Sequence, residues 1–228
     1  MPDLVTTGLR ATPAADGSSA IDTVDVRLVD LRGTDDSVAV AESLLTPAEL
    51  DRARRGTRAV HRRRVLLRAA LRSALAERLG TDPSCVPLDT SGAGRPFVAG
   101  IAVDVSCSAS DVLGIVAIGD ACRLGVDVER IAPWSSAVLE EGWLNHAEQL
   151  ALLELPPILR ASAATRTWTQ KEAVLKAAGT GLRTHPADVV TAVGRASGVV
   201  AGWQIHDVPV PEGWVASLAV AREERFSP

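Results

Sequence analysis

Between Ile21 and Leu31, apolar Val24, Val26 and Leu28 alternate with polar Asp25 and Arg27, a period of two that predicts a strand. The period then changes. Thr46-Pro47-Ala48-Glu49 has the form of a capping box with Pro at the first helical position, so a helix starts there and Gly56 interrupts it. A longer helix is predicted from Arg58 to Leu79. Val60, Leu67, Leu71 and Leu75 give it an apolar stripe, and Gly80 with Pro83 just beyond ends it. Residues 82–96, rich in Pro, Gly and Ser, read as loop. Three apolar segments follow as strands: Ile101–Ser106, Val112–Ile118 and Arg123–Val128. Gly119-Asp120 between the last two predicts that they pair as a hairpin.

Beyond Pro133, Ser135–Asn145 and His146–Leu155 carry helical patterns that Pro156-Pro157 breaks, and Ile158–Ala178 reads as a long helix ending near Gly179. Two alternating segments, Val199–Val208 and Trp214–Ala221, follow as strands. The order strand, long helix, short strands thus occurs twice. It predicts an α+β chain of two related halves, 21–122 and 123–228. A flexible extension over 1–20 precedes them, its residues 11–20 small and polar.

Composition narrows the function classes. The 228 residues are 46% hydrophobic and 23% charged with a net charge of −4, values of a soluble globular protein and not of a general nucleic-acid or membrane-surface binder. No apolar run approaches the ~18 residues needed to span a bilayer, and the first residues lack the basic and apolar regions of a secretory signal. Cys85, Cys107 and Cys122 form neither a disulfide framework nor a zinc pair. A cytoplasmic protein is expected. The basic residues are more informative. Of 24, only Lys171 and Lys176 are lysines, five positions apart in one segment, so that segment is expected to need compact ammonium groups.

Four segments could carry chemistry. In Gly125-Val126-Asp127-Val128-Glu129, a strand would put Asp127 and Glu129 on one face and the valines on the other. Two carboxylates so placed suit Mg²⁺, a hard cation that prefers oxygen ligands. The same spacing also fits the solvated face of an edge strand. In Trp168-Thr169-Gln170-Lys171-Glu172-Ala173-Val174-Leu175-Lys176, a helix puts Trp168, Glu172 and Lys176 on one face. Glu172 could then complete a three-carboxylate site, with the lysines holding phosphate oxygens. A plain i,i+4 surface pair remains the alternative. Gly94-Arg95-Pro96 and Ser106-Cys107-Ser108 could bring a guanidinium and hydroxyls to phosphate. From Arg52 to Arg72 the chain is heavily basic, and a few of those arginines could form a nucleotide-phosphate pocket.

In this order, from about Thr46 to Leu182, the segments resemble the 4'-phosphopantetheinyl transferase superfamily, specifically the larger single-chain type. The Gly-Val-Asp-Val-Glu and Trp-Thr-x-Lys-Glu-Ala-x-x-Lys pair is the specific part. The resemblance implies a pseudo-twofold pair of α/β halves with coenzyme A in the cleft between them. It implies transfer of 4'-phosphopantetheine to a serine of an acyl or peptidyl carrier protein, with Mg²⁺ or Mn²⁺ bound and 3',5'-ADP released, by a monomer. Asp127, Glu129 and Glu172 match the metal-binding carboxylates. Lys171 and Lys176 match lysines at the pyrophosphate, and Arg95 and Ser106 match phosphate-gripping positions. Arg62 matches a contact to the 3'-phosphate, and Arg52 is a looser match beside it. Glu148 resembles an acidic residue that serves as metal ligand or base. Where the family reads Ser-His-Ser, this chain has Cys107, which loses the charge and reach of an imidazole. Asp104 stands where Asn is common. A catalytically weak or inactive relative that still binds coenzyme A is the alternative. An Arg-rich nucleic-acid module is disfavoured by the acidic net charge, the absence of Tyr and the presence of only two Phe.

Overall fold

A computed structural model describes residues 8–10, 24–92, 94–120 and 122–222. The chain runs β1 (Gly8–Arg10), β2 (Val24–Asp30), α1 (Asp35–Ser43), α2 (Pro47–Ala53), α3 (Arg58–Leu79), β3 (Leu88–Thr90), β4 (Pro96–Val98), β5 (Val103–Ser110), β6 (Leu113–Asp120) and β7 (Cys122–Arg130). It continues with α4 (His146–Glu154), α5 (Pro157–Ala178), β8 (Gly198–Val200), β9 (Trp203–Asp207) and β10 (Trp214–Arg222). The fold is α+β. One four-stranded antiparallel sheet has the order β1-β2-β6-β5, a second has β7-β10-β9-β8, and β3-β4 form a small ribbon.

Local chemistry explains the helix ends. Thr46 and Glu49 form both halves of the capping box before α2. Thr57 caps α3, and Gly80 ends it in the left-handed region at φ 63°. Asn145 and Glu148 form a second capping box before α4. Pro157 starts α5 and Gly179, φ 69°, stops it.

Alternation along the strands assigns each face a partner. Val116 and Ile118 of β6 join Leu66, Leu71 and Leu75 of α3 in one core. Ile115 and Ala117, on the opposite face, meet Leu124, Val126 and Val128 of β7 and Leu218 and Val220 of β10, so the two sheets face each other across a second core. Ala173, Val174 and Ala177 of α5 cover the far face of the second sheet with Ile205 and Ala219. A strand buried on both faces reads as a continuous apolar run, which is why β6 shows no clean alternation.

Several sequence expectations change. The expected hairpin of Val112–Ile118 with Arg123–Val128 does not form: β6 pairs with β5 and β2, while β7 crosses to the second sheet and pairs along its length with β10. The turn lies instead at Ser110–Leu113, where Asp111 takes φ 45°. Ser135–Asn145 is a single 3-10 turn at Ser136–Leu139, because Gly142 at φ 82° ends any helix there. α1 was not anticipated, and the 82–96 loop contains β3. Of the expected 1–20 extension, residues 8–10 pair with β2, and the remainder lies outside the described residues. Among the described residues no helix is long and apolar enough to cross a membrane.

Candidate active site

β5 and β7 belong to different sheets and run side by side, joined by side chains instead of a backbone ladder. Every second residue of β5 turns toward β7. Asp104 Oδ2 accepts from Leu124 N at 2.8 Å, Ser106 Oγ from Val126 N at 3.1 Å, and Ser110 Oγ from Arg130 N at 3.4 Å. These short polar residues satisfy the N–H groups on the outer edge of β7. Ser108, in the same row, donates to Asp127 Oδ1 at 2.6 Å.

Asp127 is the centre of the site. It is 2% exposed. Its Oδ1 also accepts from Lys176 Nζ at 2.6 Å, whereas its Oδ2 is buried and has no hydrogen-bond partner among the described residues. An unsatisfied buried carboxylate oxygen costs on the order of 1–3 kcal/mol. Burial pushes the Glu172 carboxyl above the ordinary glutamate range; the charge of Asp127 pushes it further, Lys176 opposes this, and Glu129 adds a smaller upward push. Burial likewise raises Glu129, with Ser110 opposing and Asp127 adding to the rise. Glu172 therefore feels both of the other acids, and Glu129 feels Asp127. Among the described residues they do not form a closed ligand set, and the Lys176 ammonium lies against Asp127. Three carboxylates with one orphaned buried oxygen are still a donor set that suits a hard divalent cation.

Gly125 lets the helix approach. A Cβ there would stand 2.1 Å from the carbonyl oxygen of Ala173 and 2.4 Å from the amide nitrogen of Ala177. α5 therefore rests directly on β7, and Glu172 and Lys176 come down beside Asp127.

Two adjoining cavities lead to this centre. One, about 460 Å³, is lined by Arg52, Arg55, Arg64, Leu67, Arg68 and Thr90. The other, about 280 Å³, is lined by Arg95, Ser106, Cys107, Glu172 and Lys176. Gly94, Pro96 and Cys107 line both. Burial raises the Cys107 thiol above its ordinary range, although the charges of Lys176 and Arg68 pull it back, so it is a neutral wall. A basic compartment thus opens into one where Glu172 stands with Arg95 and Lys176, a shape that suits a polyphosphate running from one to the other.

A family model described as the 4'-phosphopantetheinyl transferase superfamily matches residues 123–206, the stretch that contains Asp127, Glu129, Glu172 and Lys176. The chain is also 30% identical over 196 residues to the 4'-phosphopantetheinyl transferase HetI of Nostoc sp. (strain PCC 7120), covering 78% of each protein. The chain belongs to the 4'-phosphopantetheinyl transferase superfamily. It is an enzyme of that class, which transfers phosphopantetheine to carrier proteins.

The transferase does not bring every expected residue to its cleft. Lys171 is fully enclosed and its ammonium is bonded to Glu148 Oε2 at 2.8 Å, Val189 O at 2.6 Å and Pro186 O at 2.9 Å. Three acceptors use its three donors, so nothing remains for a phosphate. Burial pulls this ammonium below the ordinary lysine range, and Glu148 opposes the shift. Glu148 is equally committed. It caps α4 through Asn145 N and accepts from Thr191 N and Oγ1, both at 2.8 Å. The expected base and the expected phosphate lysine are instead a buried pair that ties α4 and the 186–191 segment to α5. Arg62 is also turned away. It donates to Asp35 Oδ1 at 2.6 Å and to the Gly33 carbonyl, on the side of α3 facing α1. The face that meets the cavity carries Arg64, Leu67 and Arg68, spaced three and four apart. Arg64 and Arg68 were visible only as members of a basic run. Arg52 does line the basic cavity and donates to Thr90 Oγ1 at 2.9 Å. Arg95 lines the second cavity but spends donors on the carbonyls of Lys176, Ala177 and Leu124 and on Asp104. It braces the C-terminal end of α5, where carbonyls lack helical partners.

Proposed function

We propose that this transferase moves 4'-phosphopantetheine from coenzyme A to the serine hydroxyl of an acyl or peptidyl carrier protein, releasing 3',5'-ADP, with a divalent cation of the Mg²⁺ or Mn²⁺ class held by Asp127, Glu129 and Glu172. The observation that carries this reading is the buried, unpartnered Asp127 Oδ2 among carboxyls that repel one another. When bound, the cation would supply the positive charge that draws electron density from the pyrophosphate. The 3'-phosphate end of coenzyme A fits the arginine-lined cavity, with Arg52, Arg64 and Arg68 as its cations. Ser106 and Arg95 border the path of the pyrophosphate, and Lys176 stands where charge develops on the transferred group. The serine oxygen forms a bond to the β-phosphorus as the bond from that phosphorus to the bridging oxygen breaks. The bridging oxygen leaves with the nucleotide, and the serine proton passes to a carboxylate of the site. Glu172 lines the cavity and is placed for that role; Glu148, fully bonded, is not. The half 21–122 would supply the arginine-lined cavity, and both halves, 21–122 and 123–228, would wall the adjoining one.

Incubation with coenzyme A, Mg²⁺ and an apo acyl carrier protein, followed by intact-mass measurement, should add one phosphopantetheine per carrier. Glu172→Gln should abolish the gain while leaving the circular-dichroism spectrum unchanged. Coenzyme A binding without any mass gain by the unmodified protein would favour the weak or inactive relative that Cys107 raises.

A further inference from the structure

A second cluster of charge gathers at the C-terminal end of α5. Asp104 on β5 collects three groups on one oxygen. Its Oδ2 accepts from Arg95 Nη2 at 2.5 Å and from Leu124 N at 2.8 Å, and Arg123 Nε stands 3.6 Å away. Arg95, in the turn before β4, extends the cluster to the helix. Its Nη2 also donates to Leu124 O at 3.1 Å, and its Nη1 donates to Lys176 O and, at 3.2 Å, to Ala177 O. Arg123 Nη2 donates to the same Ala177 carbonyl at 3.2 Å. Four bonds use every hydrogen on the two terminal nitrogens of Arg95, so no fork remains for a phosphate. Both backbone groups of Leu124, the neighbour of Gly125, are held by the Asp104–Arg95 pair. The two side chains are 16% and 18% exposed, which limits screening by salt.

We propose that Asp104 and Arg95 form a latch across β5, β7 and α5 that sets the position of Lys176, so that both are positioning residues of the transfer. The inference rests on the transferase reading above, in which Lys176 stands where charge develops. The last carbonyls of a helix lack intrahelical partners and form its negative end. The Arg95 and Arg123 guanidiniums satisfy them, and Asp104 fixes where those guanidiniums lie. Lys176 is thereby held twice, its carbonyl by Arg95 and its ammonium by Asp127 and Ser108. Gly125 sets how closely α5 approaches β7, and the latch sets where the last turn sits along that strand. Asp104 stands where Asn is common. An amide there would keep an acceptor for Leu124 N but lose the charge that holds the Arg95 fork. A lysine in place of Arg95 would keep the charge but could not span four acceptors in one plane.

The test compares Asp104→Asn and Arg95→Lys with the unmodified protein, using coenzyme A, Mg²⁺ and apo acyl carrier protein. Both variants should lower kcat about tenfold, the scale of one charged hydrogen bond, and leave KM for coenzyme A within about twofold. Combined, they should lower kcat little beyond the larger single effect, because each opens the same latch. Without any substrate, amide hydrogen exchange over residues 174–182 should quicken about tenfold in both variants, while exchange over 58–79 stays as it was. A rise in KM for coenzyme A with kcat retained would overturn the proposal, by making Arg95 a phosphate ligand. Exchange that quickens equally in both segments would overturn it too, as a general loss of stability. If the unmodified protein adds no mass to any carrier, the transferase reading fails. If it transfers normally and the variants match its kcat, only the latch fails.

Discussion

Lys171 and Lys176 are the chain's only lysines, and they do opposite things. At 3.6 residues per turn, five positions put them about 140° apart around α5. Lys176 turns to Asp127 and Ser108, while Lys171 turns into the core against Glu148. Removing one partner of a buried pair strands the other, so Glu148→Ala should cost roughly 3–5 kcal/mol in denaturant unfolding. Lys171→Met with Glu148→Gln together should cost less than the sum of the single changes. A folded Glu148→Ala that loses only turnover would restore a catalytic role. Glu49 is a quieter case. It is 7% exposed and accepts from Arg68, Arg72 and the Thr46 amide. Burial pushes its carboxyl up, but hydrogen bonds from Arg72 and Thr46 and the Arg68 charge outweigh this and leave it below the ordinary range. It holds Arg68 in the wall of the basic cavity, which Glu49 also lines.

At the level of elements, one glycine and one helix face decide the site. Gly125→Ala puts a methyl into the backbone of α5, so the helix must lift from β7. Overpacking of this kind costs roughly 1–3 kcal/mol or more. The variant should melt lower and lose turnover even in the fraction that remains folded, as measured by thermal unfolding and carrier mass gain. α3 offers a sharper comparison. Arg64→Ala and Arg68→Ala should each raise KM for coenzyme A about tenfold, the scale of one charged hydrogen bond. Arg62→Ala should leave it within twofold. The reverse ranking would return the 3'-phosphate to the face that meets α1.

Across the whole molecule, the acid centre links pH and metal to stability. Glu129 and Glu172 hold protons in the folded protein that the unfolded chain has already released. The metal-free protein therefore loses stability as pH rises from the ordinary glutamate range through their raised values. Glu49 acts in the other direction: it stabilises the fold above the ordinary range and loses that effect as pH falls through its depressed value. In chelator, Tm should decline as pH rises above the ordinary glutamate range, and Glu129→Gln with Glu172→Gln should flatten that decline. Mg²⁺ at a hundredfold excess over its Kd should add about 2.7 kcal/mol to the unmodified protein, or roughly 5–10 °C in Tm for a chain this size. Glu172→Gln should abolish most of that gain. Equal stabilisation of both proteins by Mg²⁺ would place the cation elsewhere.

The amino-acid sequence alone determined whatever depends on near neighbours in the chain. α3 and α5 are legible to within a residue because their caps, Thr57 with Gly80 and Pro157 with Gly179, act locally. The shared face of Asp127 and Glu129 is legible because a strand has a period of two. Only the tertiary structure decided matters that depend on which surfaces meet. It sent β7 to the second sheet, because a hairpin with β6 would have left Val126 and Val128 without the opposing core. It chose Arg64 and Arg68 over Arg62, since a helix basic on several faces does not state which one packs against α1 and which borders the cavity. It buried Lys171 and Glu148 against each other, a pairing 23 residues apart that no local pattern encodes.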